Sequence, residues 1–201
     1  MTHKSSQPGY HWGVFLDRDG TVTEEIGYVN DPARLRLLPG AAEAIRAFNR
    51  AGVPVLLATN QAGVARGYFT EDVLKATLDR LAEMLGILGA RLDHMYYCPH
   101  HPAVGEPPYR QDCNCRKPKP GMLLAGAADF DLDLSRSYVV GDKISDVGFA
   151  QAAGAKGILV KTGYGAGELR FHDGAKLKGP LVVKADLAEA ARYILEQEGL
   201  S

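Results

Sequence analysis

Val14-Phe15-Leu16-Asp17-Arg18-Asp19-Gly20-Thr21 is an apolar run that stops at two aspartates spaced two apart, then a glycine and a threonine. Strand side chains alternate with period two, so Asp17 and Asp19 emerge on the same side of its end. Gly20 lets the backbone turn away without a Cβ penalty. Two carboxylates this close repel each other unless a cation lies between them or one holds a proton. The stretch fits a strand ending in an Asx-rich turn, or a metal-dependent acidic pair at a catalytic site.

The chain of 201 residues is 46% hydrophobic, enough to bury a core, and its length suits one domain better than two. A net charge of −1 gives no general attraction to nucleic acid or anionic membranes, so neither is an expected partner. No apolar stretch approaches the length of a membrane span. The start of the chain is polar and has no signal-peptide core. Residues 1–12 are therefore expected to be disordered or extended, 13–201 to form one domain, and the protein to be a cytoplasmic monomer. Cys98, Cys113 and Cys115 are odd in number and crowded, which argues for metal ligation in a reducing compartment over a disulfide framework.

Strands are predicted at 13–16, 53–58, 93–97, 138–140 and 157–160. Helices are predicted at 39–50, 70–88, 120–130 and 145–153, with a last strand and helix within 181–198. Thr70, followed by Glu71 and Asp72, suits a capped helix start. The alternation points to an α/β fold: a Rossmann-like parallel sheet with helices on both faces and no separate cap domain. Such sheets place their sites in the loops that follow the strands.

Those loops carry the informative polar residues. The second strand delivers Thr59-Asn60-Gln61, donors suited to a phosphate or simply a turn. The fourth delivers Gly141-Asp142-Lys143-Ile144-Ser145-Asp146, where the last two residues could serve only as helix caps. Between them lies Arg116-Lys117-Pro118-Lys119-Pro120, a solvated charge run or a phosphate clamp. Together they outline a cation-binding acidic centre ringed by phosphate-compatible donors.

In order and strand context, Asp17-Arg18-Asp19-Gly20-Thr21, Thr59, Lys117 and Gly141-Asp142 with Asp146 resemble the four motifs of the haloacid dehalogenase superfamily. Gly27-Tyr28-Val29, Thr59-Asn60-Gln61, Cys98-Pro99-His100-His101-Pro102 and Cys113-Asn114-Cys115-Arg116-Lys117-Pro118 resemble its heptose bisphosphate phosphatase branch. Histidinol-phosphate phosphatases share much of that pattern and are the near alternative. A non-catalytic binding module is a third reading, against which the intact set Asp17, Asp19, Thr59, Lys117 and Asp142 argues.

The resemblance implies a phosphomonoester hydrolase that works through an aspartyl-phosphate. Asp17 would be the nucleophile and Asp19 the general acid, then base. Mg²⁺ would be held by Asp17, Asp142 and the carbonyl of Asp19. Thr59 and Lys117 would hold the transferring phosphoryl oxygens, with the role of Asp146 left open between orienting Lys117, binding a metal-bound water and capping its helix. Cys98, His100, Cys113 and Cys115 form a Cys₃His set suited to structural Zn²⁺, with His101 a competing imidazole and free buried cysteines the other possibility. The resemblance selects His100. Access would be controlled by short loops at 25–31 and 62–69 and by the 98–115 loop. A small phosphorylated metabolite would be contacted by Glu25, Ile26, Gly27, Tyr28, Thr59, Asn60, Gln61, Ala62, Arg116, Lys117 and Lys143. Ile26 and Ala62 depart from the polar residues of the resembling heptose enzymes, which bears on sugar specificity and not on the chemistry.

Overall fold

Strand β1 (Val14–Leu16) lies inside a parallel sheet of order β3-β2-β1-β4-β5-β6 in the computed structural model, which describes residues 11–171 and 181–200. The other strands are β2 (Val55–Asn60), β3 (His94–Cys98), β4 (Tyr138–Gly141), β5 (Lys156–Val160) and β6 (Val182–Lys184). Phe15 stands opposite Leu56 on one side and Val139 on the other. From β1 the chain winds outward through β2 and β3, then returns to the opposite side of β1 at β4. The strand order reverses there, and the crevice outside the carboxyl ends of β1 and β4 is the natural place for a ligand.

Period-two alternation sorts the central strands between two cores. Val14, Leu16, Val55, Leu57 and Val140 face a large cluster built with α1 (Ala41–Arg50), α2 (Glu71–Ile87) and α6 (Leu187–Gln197). Phe15, Leu56 and Val139 face a second cluster with Met122 and Leu123 of α3 (Gly121–Phe130) and Phe149 and Ala150 of α4 (Ile144–Ala152). Buried on both faces, these strands need no polar alternation, which is why they read as continuous apolar runs. Thr70 caps α2 by accepting from the Val73 N–H, and Asp186 caps α6 by accepting from the Glu189 N–H.

The predicted parallel sheet with helices on both faces is the observed one, with local differences. Strand β2 runs two residues later than predicted, because Pro54 has no N–H to give the sheet and Thr59 and Asn60 pair with Tyr97 and Cys98. A 3-10 turn (Pro32–Arg34) and α5 (Gly165–Phe171) were not predicted. Trp12 corrects the expected boundary at residue 13: it is fully buried, edge-on to Tyr138 with ring centroids 5.7 Å apart. Residues 1–10 of that segment lie outside the described residues. Among the described residues no helix is long and apolar enough to cross a membrane.

Helix α3 lies so close to β1 that a Cβ on Gly126 would meet Phe15 Cε1 at 2.6 Å and Cζ at 2.8 Å. Alanine at that position gains about 1 kcal/mol of helix propensity, but overpacking a core costs about 1–3 kcal/mol. Gly126→Ala is therefore expected to lower the urea midpoint; an unchanged or higher midpoint would show that the helix yields freely.

Candidate active site

The carboxyl ends of β1 and β4 bury four charged side chains together. Lys117 Nζ lies 2.8 Å from Asp17 Oδ1 and 2.7 Å from Asp146 Oδ1, and donates to the Ala58 carbonyl at 2.9 Å. All three ammonium protons are thereby engaged. Burial alone would raise the pKa of Asp17, but the Lys117 charge wins and holds it below its usual value. Burial would likewise lower Lys117, and the charges of Asp146 and Asp17 push it up instead. Asp17 is thus a carboxylate, aimed and stripped of water.

Asp142 is fully buried and its two oxygens fare differently. Oδ2 accepts from the Tyr164 N–H at 2.8 Å, whereas Oδ1 has no hydrogen-bond partner. Burial, helped by the charge of Asp17 and opposed by Lys143, pushes its pKa up to about 7. Carboxylate oxygens of Asp17, Asp142 and Asp146 lie within 4.8 Å of one another. Asp146, however, has Oδ1 on Lys117 and Oδ2 accepting from the Lys143 N–H at 3.0 Å. Asp146 Oδ1 is thus occupied by its ion pair with Lys117, which leaves Asp142 Oδ1, 3.9 Å from Lys143 Nζ, as the oxygen more open to a hard cation. Gly20 and Gly163 both have positive φ and crowd the Asp142 carboxylate, where any Cβ would collide with Oδ2.

Asp19 sits apart from that cluster, gripped by its neighbours. Arg18 donates to it through Nε at 2.9 Å and Nη2 at 2.8 Å, and Gln61 Nε2 adds a bond of 3.0 Å. The same Gln61 amide reaches Thr59 Oγ1 at 2.9 Å, leaving the Thr59 hydroxyl hydrogen free to donate. Asn60 does something the sequence did not suggest. Its amide accepts from the Lys117 N–H at 3.0 Å and donates to the Lys117 carbonyl at 3.2 Å, clamping the backbone that carries the lysine.

A cavity of about 460 Å³ opens above these groups, lined by Asp17, Asp19, Glu25, Gly27, Tyr28, Thr59, Asn60, Gln61, Ala62, Arg116, Lys117 and Lys143. Ile26 does not join them; it packs against the larger core, in which the apolar Val29 of the same loop is buried. Gly63, Ser145 and Tyr164 line the cavity as well, unforeseen. Lys143 lies 3.3 Å from Glu25 Oε2 and 4.6 Å from the Tyr164 ring centroid. Burial would lower its pKa, but Asp142, Asp17 and Glu25 drive it up, so it is a fixed cation. Tyr164 and Thr162, whose hydroxyl donates to the Gly20 carbonyl at 2.6 Å, belong to the β5–α5 connection. Only the Thr-Gly-Tyr letters after a strand could have marked it.

Beside the cavity, Cys98, His100, Cys113 and Cys115 converge. Their sulfurs lie 3.1–3.4 Å apart, and His100 Nδ1 is 3.3 Å from Cys115 Sγ and 3.7 Å from Cys98 Sγ. None of the three cysteines is in a disulfide. Ligands at about 2.0–2.3 Å around a tetrahedral zinc would stand at spacings of this order. His101 is outside the cluster and turns to Arg66 instead.

Comparison with known proteins matches residues 114–190 to the HAD-hydrolase-like family. The chain is 44% identical over 187 residues to D-glycero-D-manno-heptose-1,7-bisphosphate 7-phosphatase from Thermosynechococcus vestitus, covering 90% of this chain and 94% of that protein. It is 41% identical over 152 residues to D-glycero-beta-D-manno-heptose-1,7-bisphosphate 7-phosphatase from Escherichia coli K12, covering 75% and 79%. Among solved structures, the D,D-heptose 1,7-bisphosphate phosphatase of B. bronchiseptica, complexed with magnesium and phosphate, superposes with a TM-score of 0.83. Its sequence is 36% identical, and the match covers 92% of this chain and 99% of that one.

Truncating Asn60 to alanine removes both bonds that hold the Lys117 backbone. Each unmet partner costs about 1–3 kcal/mol, so Asn60→Ala is expected to lower the melting temperature measurably in a thermal scan. A wild-type melting temperature would mean that the clamp is incidental.

Proposed function

The chain belongs to the haloacid dehalogenase-like phosphatases, and from that premise we propose that it hydrolyses the 7-phosphate of D-glycero-D-manno-heptose 1,7-bisphosphate through an aspartyl-phosphate on Asp17. One observation carries the reading: Asp17 is held ionised by Lys117 beneath a cavity, with the unpartnered Oδ1 of Asp142 beside it. Two adjacent carboxylates, one of them with a buried oxygen that accepts no hydrogen bond, suit a hard divalent cation. Asp17, Asp142 and the carbonyl of Asp19 would hold Mg²⁺, as the resemblance implies. When bound, the ion neutralises negative charge on the phosphate and spares Asp142 its proton.

The chain's own residues perform the rest. A free Asp17 oxygen attacks phosphorus while the ester P–O bond breaks, and the departing alkoxide takes a proton from Asp19, which as general acid must carry that proton in place of one of its bonds to Arg18 or Gln61. Asp19, now a carboxylate supported by Arg18 and Gln61, takes a proton from water. That water attacks phosphorus, the Asp17–phosphorus bond breaks, and inorganic phosphate leaves. Lys117 through its charge, and Thr59 through its free hydroxyl proton, steady the phosphoryl oxygens throughout, in a reaction where positioning and electrostatics dominate. Glu25, Gly27, Tyr28, Gln61 and Ala62 form the walls for the sugar, and Arg116 and Lys143 supply positive charge.

A turnover screen over phosphorylated sugars, with histidinol phosphate beside them, tests the substrate. Heptose 1,7-bisphosphate is expected to give the highest kcat/KM, to require added Mg²⁺, and to yield the 1-phosphate. Asp17→Asn should abolish this turnover while the protein stays folded, since an amide is a poor nucleophile and a weaker cation ligand. Near wild-type turnover by that variant would contradict the covalent route.

The Cys₃His cluster is assigned to structural zinc. Elemental analysis of the purified chain should find about one zinc per chain, held separately from Mg²⁺. Cys113→Ser should lose that zinc and melt at a lower temperature, because metal binding there is folding free energy. Purified protein without zinc, or a variant of unchanged stability, would sink the assignment.

A further inference from the structure

Two hydrogen-bond donors, Arg66 and His101, face each other near Arg116, which lines the cavity. The Ala103 N–H donates to His101 Nδ1 at 3.1 Å, which leaves the ring proton on Nε2. Arg66 Nη2, which can only donate, lies 3.4 Å from that Nε2. No acceptor stands between them, and among the described residues neither Arg66 nor Arg116 has a carboxylate at ion-pair distance. Arg116 lines the cavity and donates to the carbonyl of His100, the residue before His101. Three donor groups of positive or neutral charge therefore meet where two loops touch. The 62–69 turn brings Arg66, and the cysteine loop brings His101 and Arg116. Gly105 of the second loop packs against the Ala65 carbonyl of the first, so the two are joined at this point.

From this juxtaposition we infer that Arg66 and His101, together with Arg116, form a two-loop anion site that holds the phosphate the enzyme does not remove. The inference rests on the proposed bisphosphate substrate and adds its specificity determinants. An oxyanion placed between Arg66 Nη2 and His101 Nε2 turns two opposed donors into two charge-assisted or neutral hydrogen bonds to one acceptor. Monoesters without a second phosphate gain nothing there. Selectivity for a bisphosphate then comes from a contact remote from the reacting phosphorus, which can appear in kcat as well as KM. It also gives the cysteine cluster a functional consequence, because the loop it gathers is one jaw of the site.

Arg66 is exposed, so replacing it should leave the fold intact. The test compares kcat/KM for heptose 1,7-bisphosphate with that for p-nitrophenyl phosphate, both with Mg²⁺, in wild type, Arg66→Ala, Arg66→Lys, His101→Ala and the double alanine variant. Arg66→Ala should lower the bisphosphate-to-monoester ratio about ten- to a hundredfold, the size expected for charged hydrogen bonds. Arg66→Lys should recover part of that ratio. The double variant should lose less than the product of the single losses, since both groups bind one anion. An Arg66→Ala ratio equal to wild type, or losses that simply multiply, would overturn the anion site while leaving the substrate assignment standing. A wild-type protein indifferent to the bisphosphate would overturn the substrate assignment and the anion site with it.

Discussion

The buried ammonium of Lys117, shared between Asp17 and Asp146, is the interaction on which the site depends. Three carboxylates crowd the ends of β1 and β4 where little water reaches them, an arrangement that desolvation alone would not tolerate. One lysine leaves Asp17 charged and fixes where it points. It does so without neutralising Asp142, whose remaining oxygen is the acidic centre's open valence. Asp17 and Asp146 thus share the charge of Lys117, while Asp142 has only the more distant Lys143 beside it.

Much of the surrounding structure serves to place that lysine. Its side chain runs to the Ala58 carbonyl in β2, and its peptide is clamped by Asn60 two residues further along the same strand. The segment that delivers it begins only two residues earlier at Cys115, so the cysteine cluster and the catalytic pocket share one stretch of backbone. Arg116, between them, faces the cavity. Fold, cluster and site are coupled through three consecutive residues.

The parallel sheet and the acidic strand end were legible because their signals are local: buried strands are apolar throughout, and Asp17 and Asp19 sit where the first one stops. The cysteine and histidine spacing was legible for the same reason. Relations between distant backbones were not. The Tyr164 N–H that holds Asp142 has no letter of its own, and the short α5 that follows has too weak a pattern to stand out. Asn60 reads as an ordinary turn residue until its partner, far along the chain, is known. Ile26 was assigned from the resemblance, yet its apolar side chain packs against the core. Trp12, set among polar residues, was placed outside a fold that in fact buries it. The opposed donors of Arg66 and His101 arise only where the two folded loops meet.

The most direct measurement is to quench the enzyme in acid during turnover, reduce it with borohydride, and sequence its peptides by mass spectrometry. Borohydride converts an acyl-phosphate to an alcohol, so an aspartyl-phosphate becomes homoserine. Homoserine at position 17, formed only when substrate and Mg²⁺ are present, is the predicted result. Reduction at another carboxylate, or none in samples caught during steady turnover, would contradict the account of Asp17 as the nucleophile that Lys117 holds ready.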